Sequence, residues 1–166
     1  MKVLLTGASG FLGTKIYSEL ISKGFEVVPL YHEQIDITNY NLLKKFFKRK
    51  NPELVIHAAA LTNVDYCEEN KEECFRVNVI GTEFLQEICY KQKIKLVFLS
   101  TDFVFDGLRG NYREESIRNP INYYGFSKMI AEDIVKKSDK NLIIRASTIF
   151  GYFHNKKIDF PSFIIK

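Results

Sequence analysis

The chain has 166 residues, enough for one domain with a sizeable core, and no boundary inside it is apparent. Hydrophobic residues make up 46% and charged residues 27%, which excludes a disordered segment, and a net charge of +4 gives no argument for nucleic acid as a partner. Cys67, Cys74 and Cys89 form neither a Cys-x-x-Cys pair nor an even framework, and His32, His57 and His154 are scattered, so no disulfide and no metal is expected.

In chain order, the first predicted strand covers 2–6, leaving no room for a charged leader and a cleavable apolar stretch before it. No apolar run approaches the roughly 18 residues that span a bilayer, so no membrane partner is expected and cytoplasm is the expected location. GASGFLG follows the strand, with Gly7, Gly10 and Gly13 at every third position. This spacing suits a sharp turn, a close approach of backbone to a pyrophosphate, and a helix packed on the strand with no side chain between. The first turn of that helix, predicted over 11–23, would point its N–H groups and the positive end of its dipole at the phosphates. Taken alone, the triplet also fits a tight turn with a close-packed helix.

A strand is predicted over 26–30 and a helix over 39–50, with Thr38 as its N-cap and Leu42, Leu43, Phe46 and Phe47 as its buried stripe. The basic run KKFFKRK at 44–50 then falls at a helix C-terminus, where cations favour the dipole, and reads as that rather than as a nucleic-acid patch. Residues 34–37 resemble a strand, but no crossover helix fits between them and 30, so the segment is read as a stub or a loop. Further strands are predicted over 53–58, 95–100 and 142–146, with helices over 71–92 and 122–137. Val-, Ile- and Leu-rich runs alternating with amphipathic stretches predict a doubly wound parallel α/β sheet covered on both faces.

Two pieces in the second half carry chemistry. LVFLSTDFVFDG reads as a strand ending in Ser100, Thr101 and Asp102, and in such sheets ligands lie beyond the carboxyl ends of strands. YYGFSK sets Tyr124 four residues before Lys128, on one helix face. At a separation of about 5 Å and an effective dielectric of about 20, the ammonium favours a phenolate by roughly 3 kcal/mol, or about 2 pKa units. That would make the tyrosine a proton donor or acceptor near working pH.

GASGFLG, VIHAAALTNVD, LSTDFVFDG, PINYYGFSK and IIRASTIFG match, in order and spacing, the extended short-chain dehydrogenase/reductases, and within them the chain most resembles the dTDP-4-dehydrorhamnose reductases. The resemblance implies a Rossmann-type fold and NADPH-dependent reduction of a 4-keto sugar nucleotide. Thr101, Tyr124 and Lys128 match the family triad, in which the tyrosine protonates the carbonyl oxygen, the lysine holds the nicotinamide ribose, and the threonine orients the carbonyl. Gly7, Ser9, Gly10, Phe11, Leu12 and Gly13 fall in the pyrophosphate loop, Asp36 and Ile37 border the adenine, and Ala58, Ala59 and Ala60 let the coenzyme cross the strand end. Thr62 and Val64 fall where the family lines its sugar site, next to Asp102 and Phe103. Asn78 matches an asparagine of the central helix; read without the family it is a polar residue facing solvent.

The second strand ends PLYHEQ, without a carboxylate for a ribose 2′-OH, so NADP(H) is preferred over NAD(H), with His32 placed near a 2′-phosphate. Phe103 stands where related dehydratases carry an acid, which favours simple reduction. Thr148 stands where many members carry a sugar-stacking tryptophan, and the chain has no tryptophan. The resemblance divides the chain into a coenzyme-binding domain at 1–150 and, at 151–166, the start of a substrate lobe that is largely absent. A homodimer is left open. Two alternatives stand beside reduction: a non-catalytic subunit like the regulatory subunit of methionine adenosyltransferase, and a nucleotide-binding remnant.

Overall fold

The computed structural model describes residues 1–149. Among these residues five parallel strands, β1 (Lys2–Thr6), β2 (Glu26–Leu30), β3 (Leu54–His57), β4 (Lys95–Thr101) and β5 (Leu142–Ala146), form one sheet in the order β2-β1-β3-β4-β5. Six α-helices among them connect the strands: α1 (Phe11–Ser22), α2 (Tyr40–Lys50), α3 (Val64–Glu69), α4 (Lys71–Phe75), α5 (Gly81–Gln92) and α6 (Tyr123–Val135). This is a doubly wound sheet of Rossmann type. The chain steps from β1 to β2 on one side and then to β3 on the other, so the crevice at the carboxyl ends of β1 and β3 is its switch point. Parallel register brings Thr6, His57 and Thr101 to that one edge.

Strand alternation sorts the core. Leu4, Val55, Leu96 and Phe98 face a layer made by Leu43, Phe46 and Phe47 of α2, Leu85, Ile88 and Cys89 of α5, and Ala131 and Val135 of α6. Val3 and Leu5 point the other way, and α1 packs against β1 and β2. The expected two-sided cover holds for β1 but stops short of β5, where Leu142 is 47% and Ile144 42% exposed among the described residues.

Other expectations change in detail. Asn39, not Thr38, caps α2: its Oδ1 accepts from the Leu42 N–H at 3.1 Å, because the Thr38 hydroxyl is engaged by Arg76 instead. Leu42 is exposed while Leu43, Phe46 and Phe47 are buried, since a helix shows the sheet only one stripe. Residues 34–37 form no strand. The helix expected over 71–92 holds a π turn at Arg76–Ile80, and α3 stands outside the expected helices because six residues are too few to show a helical period. The expected division at residue 150 and the segment 151–166 lie outside the described residues.

Candidate coenzyme and carbonyl site

The β1–α1 turn is shaped by what a side chain would displace. Gly7 has φ +68°, and a Cβ there would come within 2.6 Å of the Ala59 nitrogen. A Cβ on Gly13 would lie 2.0 Å from the Gly7 carbonyl oxygen, so α1 can seat on the turn only with glycine at that position. Gly10 caps α1 without a side-chain hydrogen bond, and no acidic residue occupies its first turn. The positive end of the helix dipole therefore meets the crevice with no carboxylate of its own first turn against it.

Beyond the turn lies a cleft of about 350 Å³. Gly7, Ser9, Gly10, His32, Asp36, Ile37, Ala58, Ala59 and Ala60 all border it, whereas Phe11, Leu12 and Gly13 do not. Arg76 borders it too, a residue no local motif marks. Its guanidinium donates to Asp36 Oδ2 at 3.3 Å and to Thr38 Oγ1 at 2.6 Å. Burial pushes the Asp36 carboxyl up, but the Thr38 N–H, the Thr38 hydroxyl and Arg76 outweigh it and hold it below the usual carboxylate value.

The floor of the crevice is tied by a neutral histidine. Thr82 Oγ1 donates to the Asn78 carbonyl at 2.6 Å, so it accepts from His57 Nε2–H at 3.0 Å. His57 Nδ1 then accepts from the Thr6 hydroxyl at 2.7 Å, and Thr6 Oγ1 accepts the Ala59 N–H at 3.2 Å. Burial, with the Lys128 charge adding to it, pushes His57 down to about 3.

At the β4 end, Thr101, Tyr124 and Lys128 are all buried and close the same edge. Asn122 caps α6 by accepting the Gly125 N–H at 2.7 Å. A Cβ on Gly125 would sit 2.1 Å from the Phe103 carbonyl oxygen, so glycine there lets the start of α6 press onto the turn after β4. Phe103 packs edge-on against the Tyr124 ring with centroids 6.0 Å apart. Lys128 Nζ donates to the Leu99 carbonyl at 2.7 Å and lies 4.0 Å over the Phe98 ring.

The pKa expectation is corrected here. Burial pushes the Tyr124 phenol up to about 12 despite the favourable Thr101 hydroxyl, and it pushes Lys128 down to about 7 despite Glu132. Desolvation of both groups outweighs the through-space attraction inferred from spacing alone.

Asn78 is likewise not solvent-facing but 1% exposed. Its Oδ1 accepts the Leu61 N–H at 2.8 Å, and its Nδ2 lies 3.0 Å from both the Leu61 carbonyl and Ser127 Oγ. Ser127 in turn donates to the Tyr124 carbonyl at 2.7 Å. The π turn carries Asn78, and by this chain it links Leu61, just after the strand-end alanines, to α6.

Asp102 and Phe103 border a separate open hollow of about 780 Å³. Thr62 and Val64 do not border it; Thr62 is exposed, and Val64 opens α3 against the Cys67, Cys74 and Tyr124 cluster. All three cysteines are free and buried. Among the described residues, no group of three or more His, Cys, Asp or Glu could hold a metal, and no helix is long and apolar enough to cross a membrane.

The fold and the glycine cradle define a Rossmann-type α/β domain. The chain belongs to the family of the RmlD substrate binding domain, whose model matches residues 1–166. It is similar to the dTDP-4-dehydrorhamnose reductase of Aggregatibacter actinomycetemcomitans, 36% identical over 157 residues that are 93% of this chain and 53% of that protein. It is also similar to methionine adenosyltransferase 2 subunit beta of Bos taurus, 29% identical over 158 residues, 90% of this chain and 47% of that one. The crystal structure of dTDP-4-dehydrorhamnose reductase from Bacillus anthracis in complex with NADP superposes with a TM-score of 0.88 at 35% identity, covering 93% of this chain and 56% of that one. The chain spans about half the length of these relatives.

Proposed function

We propose that this domain binds NADP(H) and serves, in the cytoplasm, the reduction of a 4-keto sugar nucleotide of the dTDP-4-dehydrorhamnose kind. The observation that carries the reading is the Gly7 turn, where a Cβ would strike the Ala58–Ala59 backbone, so that bare main chain at Gly7 and Gly10 borders a cleft at the N-terminus of α1, whose first turn holds no acidic residue. That geometry fits a pyrophosphate. The coenzyme, when bound, supplies hydride.

The chain's own residues supply the rest. Tyr124 holds its proton firmly at neutral pH, which suits a hydroxyl that must donate to a carbonyl oxygen as negative charge develops there. Thr101 Oγ1, now donating to Asp102 Oδ1 at 3.2 Å, is the second hydroxyl at that edge and would orient the same oxygen. Lys128 would hold the ribose and gain charge as the coenzyme's phosphates approach. Thr62, Val64, Asp102 and Phe103 are the proposed sugar contacts, and His32 or Arg76 the contacts at the adenosine end.

The test is to mix the protein with NADPH, and separately NADH, and dTDP-4-keto-6-deoxy sugars while following nicotinamide absorbance. Oxidation is expected with NADPH and at least about 100-fold less with Tyr124→Phe. A folded protein that binds neither coenzyme at millimolar concentration overturns the reading.

The bovine relative supports a second reading, a coenzyme-binding regulatory subunit. Stoichiometric capture of a methionine adenosyltransferase, with coenzyme binding but no oxidation on any keto sugar nucleotide, would select it.

A further inference from the structure

One turn beyond Lys128, α6 carries Glu132, a carboxylate with no exposed surface. Ser100 Oγ donates to its Oε1 at 2.6 Å. Arg145 of β5 donates through Nε to Oε1 at 2.8 Å and through Nη2 to Oε2 at 2.7 Å. Arg118, from the loop before α6, donates to Oε2 at 3.2 Å and to the Met129 carbonyl at 3.0 Å.

Lys128 and Glu132 therefore hold neighbouring residues of one strand. Lys128 bonds the Leu99 carbonyl and Glu132 the Ser100 hydroxyl, and the next residue is Thr101. Tyr124, Lys128 and Glu132 repeat every four residues, so one face of α6 presents phenol, amine and carboxylate in succession along the end of β4.

We propose that Glu132 is a positioning residue for this site: by gripping Ser100 while Lys128 grips Leu99, it fixes the end of β4 and supplies the negative charge against which the lysine amine is held. The proposal rests on the reading of Tyr124, Lys128 and Thr101 given above. Glu132 and Tyr124 face Lys128 from its own helix, Cys74 from α4 and His57 from β3, with the Phe98 ring of β4 beneath. His57 is uncharged and Tyr124 protonated at neutral pH, so Glu132 is the carboxylate among them. Burial drives the lysine toward its neutral form, and Glu132 opposes it. Glu132 itself is pushed up by burial, but the bonds from Arg145 and Ser100 and the charges of Arg145 and Arg118 prevail and keep it ionised.

The test reads Lys128 directly, by NMR titration of protein carrying ¹³C-labelled lysine, with the signal assigned by its loss in Lys128→Met. In the wild type the Lys128 signal is expected to titrate near neutrality, and in Glu132→Gln about one pH unit lower or more. Glu132→Asp, which keeps the charge, restores the wild-type titration to within about half a unit. A purely structural Glu132 would leave that titration in place, so a folded Glu132→Gln titrating with the wild type overturns the proposal. Should Glu132→Gln not fold, Arg145→Gln carries the test: with one competing cation gone, the Lys128 titration must move upward, and no movement overturns the proposal. The titration needs no coenzyme. Failure of the wild type to bind NADPH would therefore remove the functional reading while the lysine signal still decides this one.

Discussion

Between β1 and α1 the chain meets its crevice with bare backbone at Gly7 and Gly10, and Gly13 behind them lets α1 seat on the turn. Between β4 and α6 it meets the same edge with buried titratable groups, Tyr124, Lys128 and Glu132, tied to Arg118 and Arg145. The first region works by leaving side chains out and so fails by steric intrusion. The second works by holding charge out of water and so responds to pH. The two also differ in cover, since β1 is buried on both faces whereas β5 is half open among the described residues.

Steric intrusion should give the largest effect. Gly13→Ala forces a Cβ to within 2.0 Å of the Gly7 carbonyl oxygen, which is backbone and cannot swing aside. A loss of about 3 kcal/mol is expected in urea unfolding. Gly10→Ala meets the same oxygen at 3.2 Å and should cost less than about 1 kcal/mol. Equal costs at the two positions would break the backbone account of this region.

Next comes the pH response of the second region. Lys128 titrates near 10.5 when unfolded and near 7 in the fold, so between those values the unfolded chain binds the extra proton and stability rises with pH. From pH 7 to 8.5 the rise from this group is about 2 kcal/mol, and Lys128→Met should remove it. Above that window Cys67 and Cys89, pushed up to about 12 by burial, ionise first in the unfolded chain and reverse the slope. A variant with an unchanged pH profile would show that Lys128 is not desolvated.

A smaller effect than either region's leading one lies away from both and calibrates them. Asn39→Ala removes the α2 cap and should cost about 1 kcal/mol by the same measurement, with coenzyme binding unchanged. Thr38→Ala, which leaves the cap in place, should not reproduce it. Loss at Thr38 instead would restore the cap assignment suggested by sequence.

Local rules explain which features could be read in advance. The strands, the glycine turn and the α6 pair are set by residues within a few positions of each other, where alternation, φ and helical spacing operate. The family pattern carries Asp36, Ala58 and Asn78 to positions that no periodicity marks. Arg76 on Asp36, 40 residues away, and the Arg118–Glu132–Arg145 cluster join segments that meet only after the sheet is built, so neither has a signal in the chain.

The sequence by itself determined that parallel strands alternate with helices and that a glycine turn opens the first of those helices, because these follow from short-range sterics and side-chain period. Tertiary structure alone decided the ionisation of Tyr124 and Lys128, the burial of Asn78 and the pairing of Glu132. Desolvation and long-range contact energies exist only once distant segments have excluded water from one another.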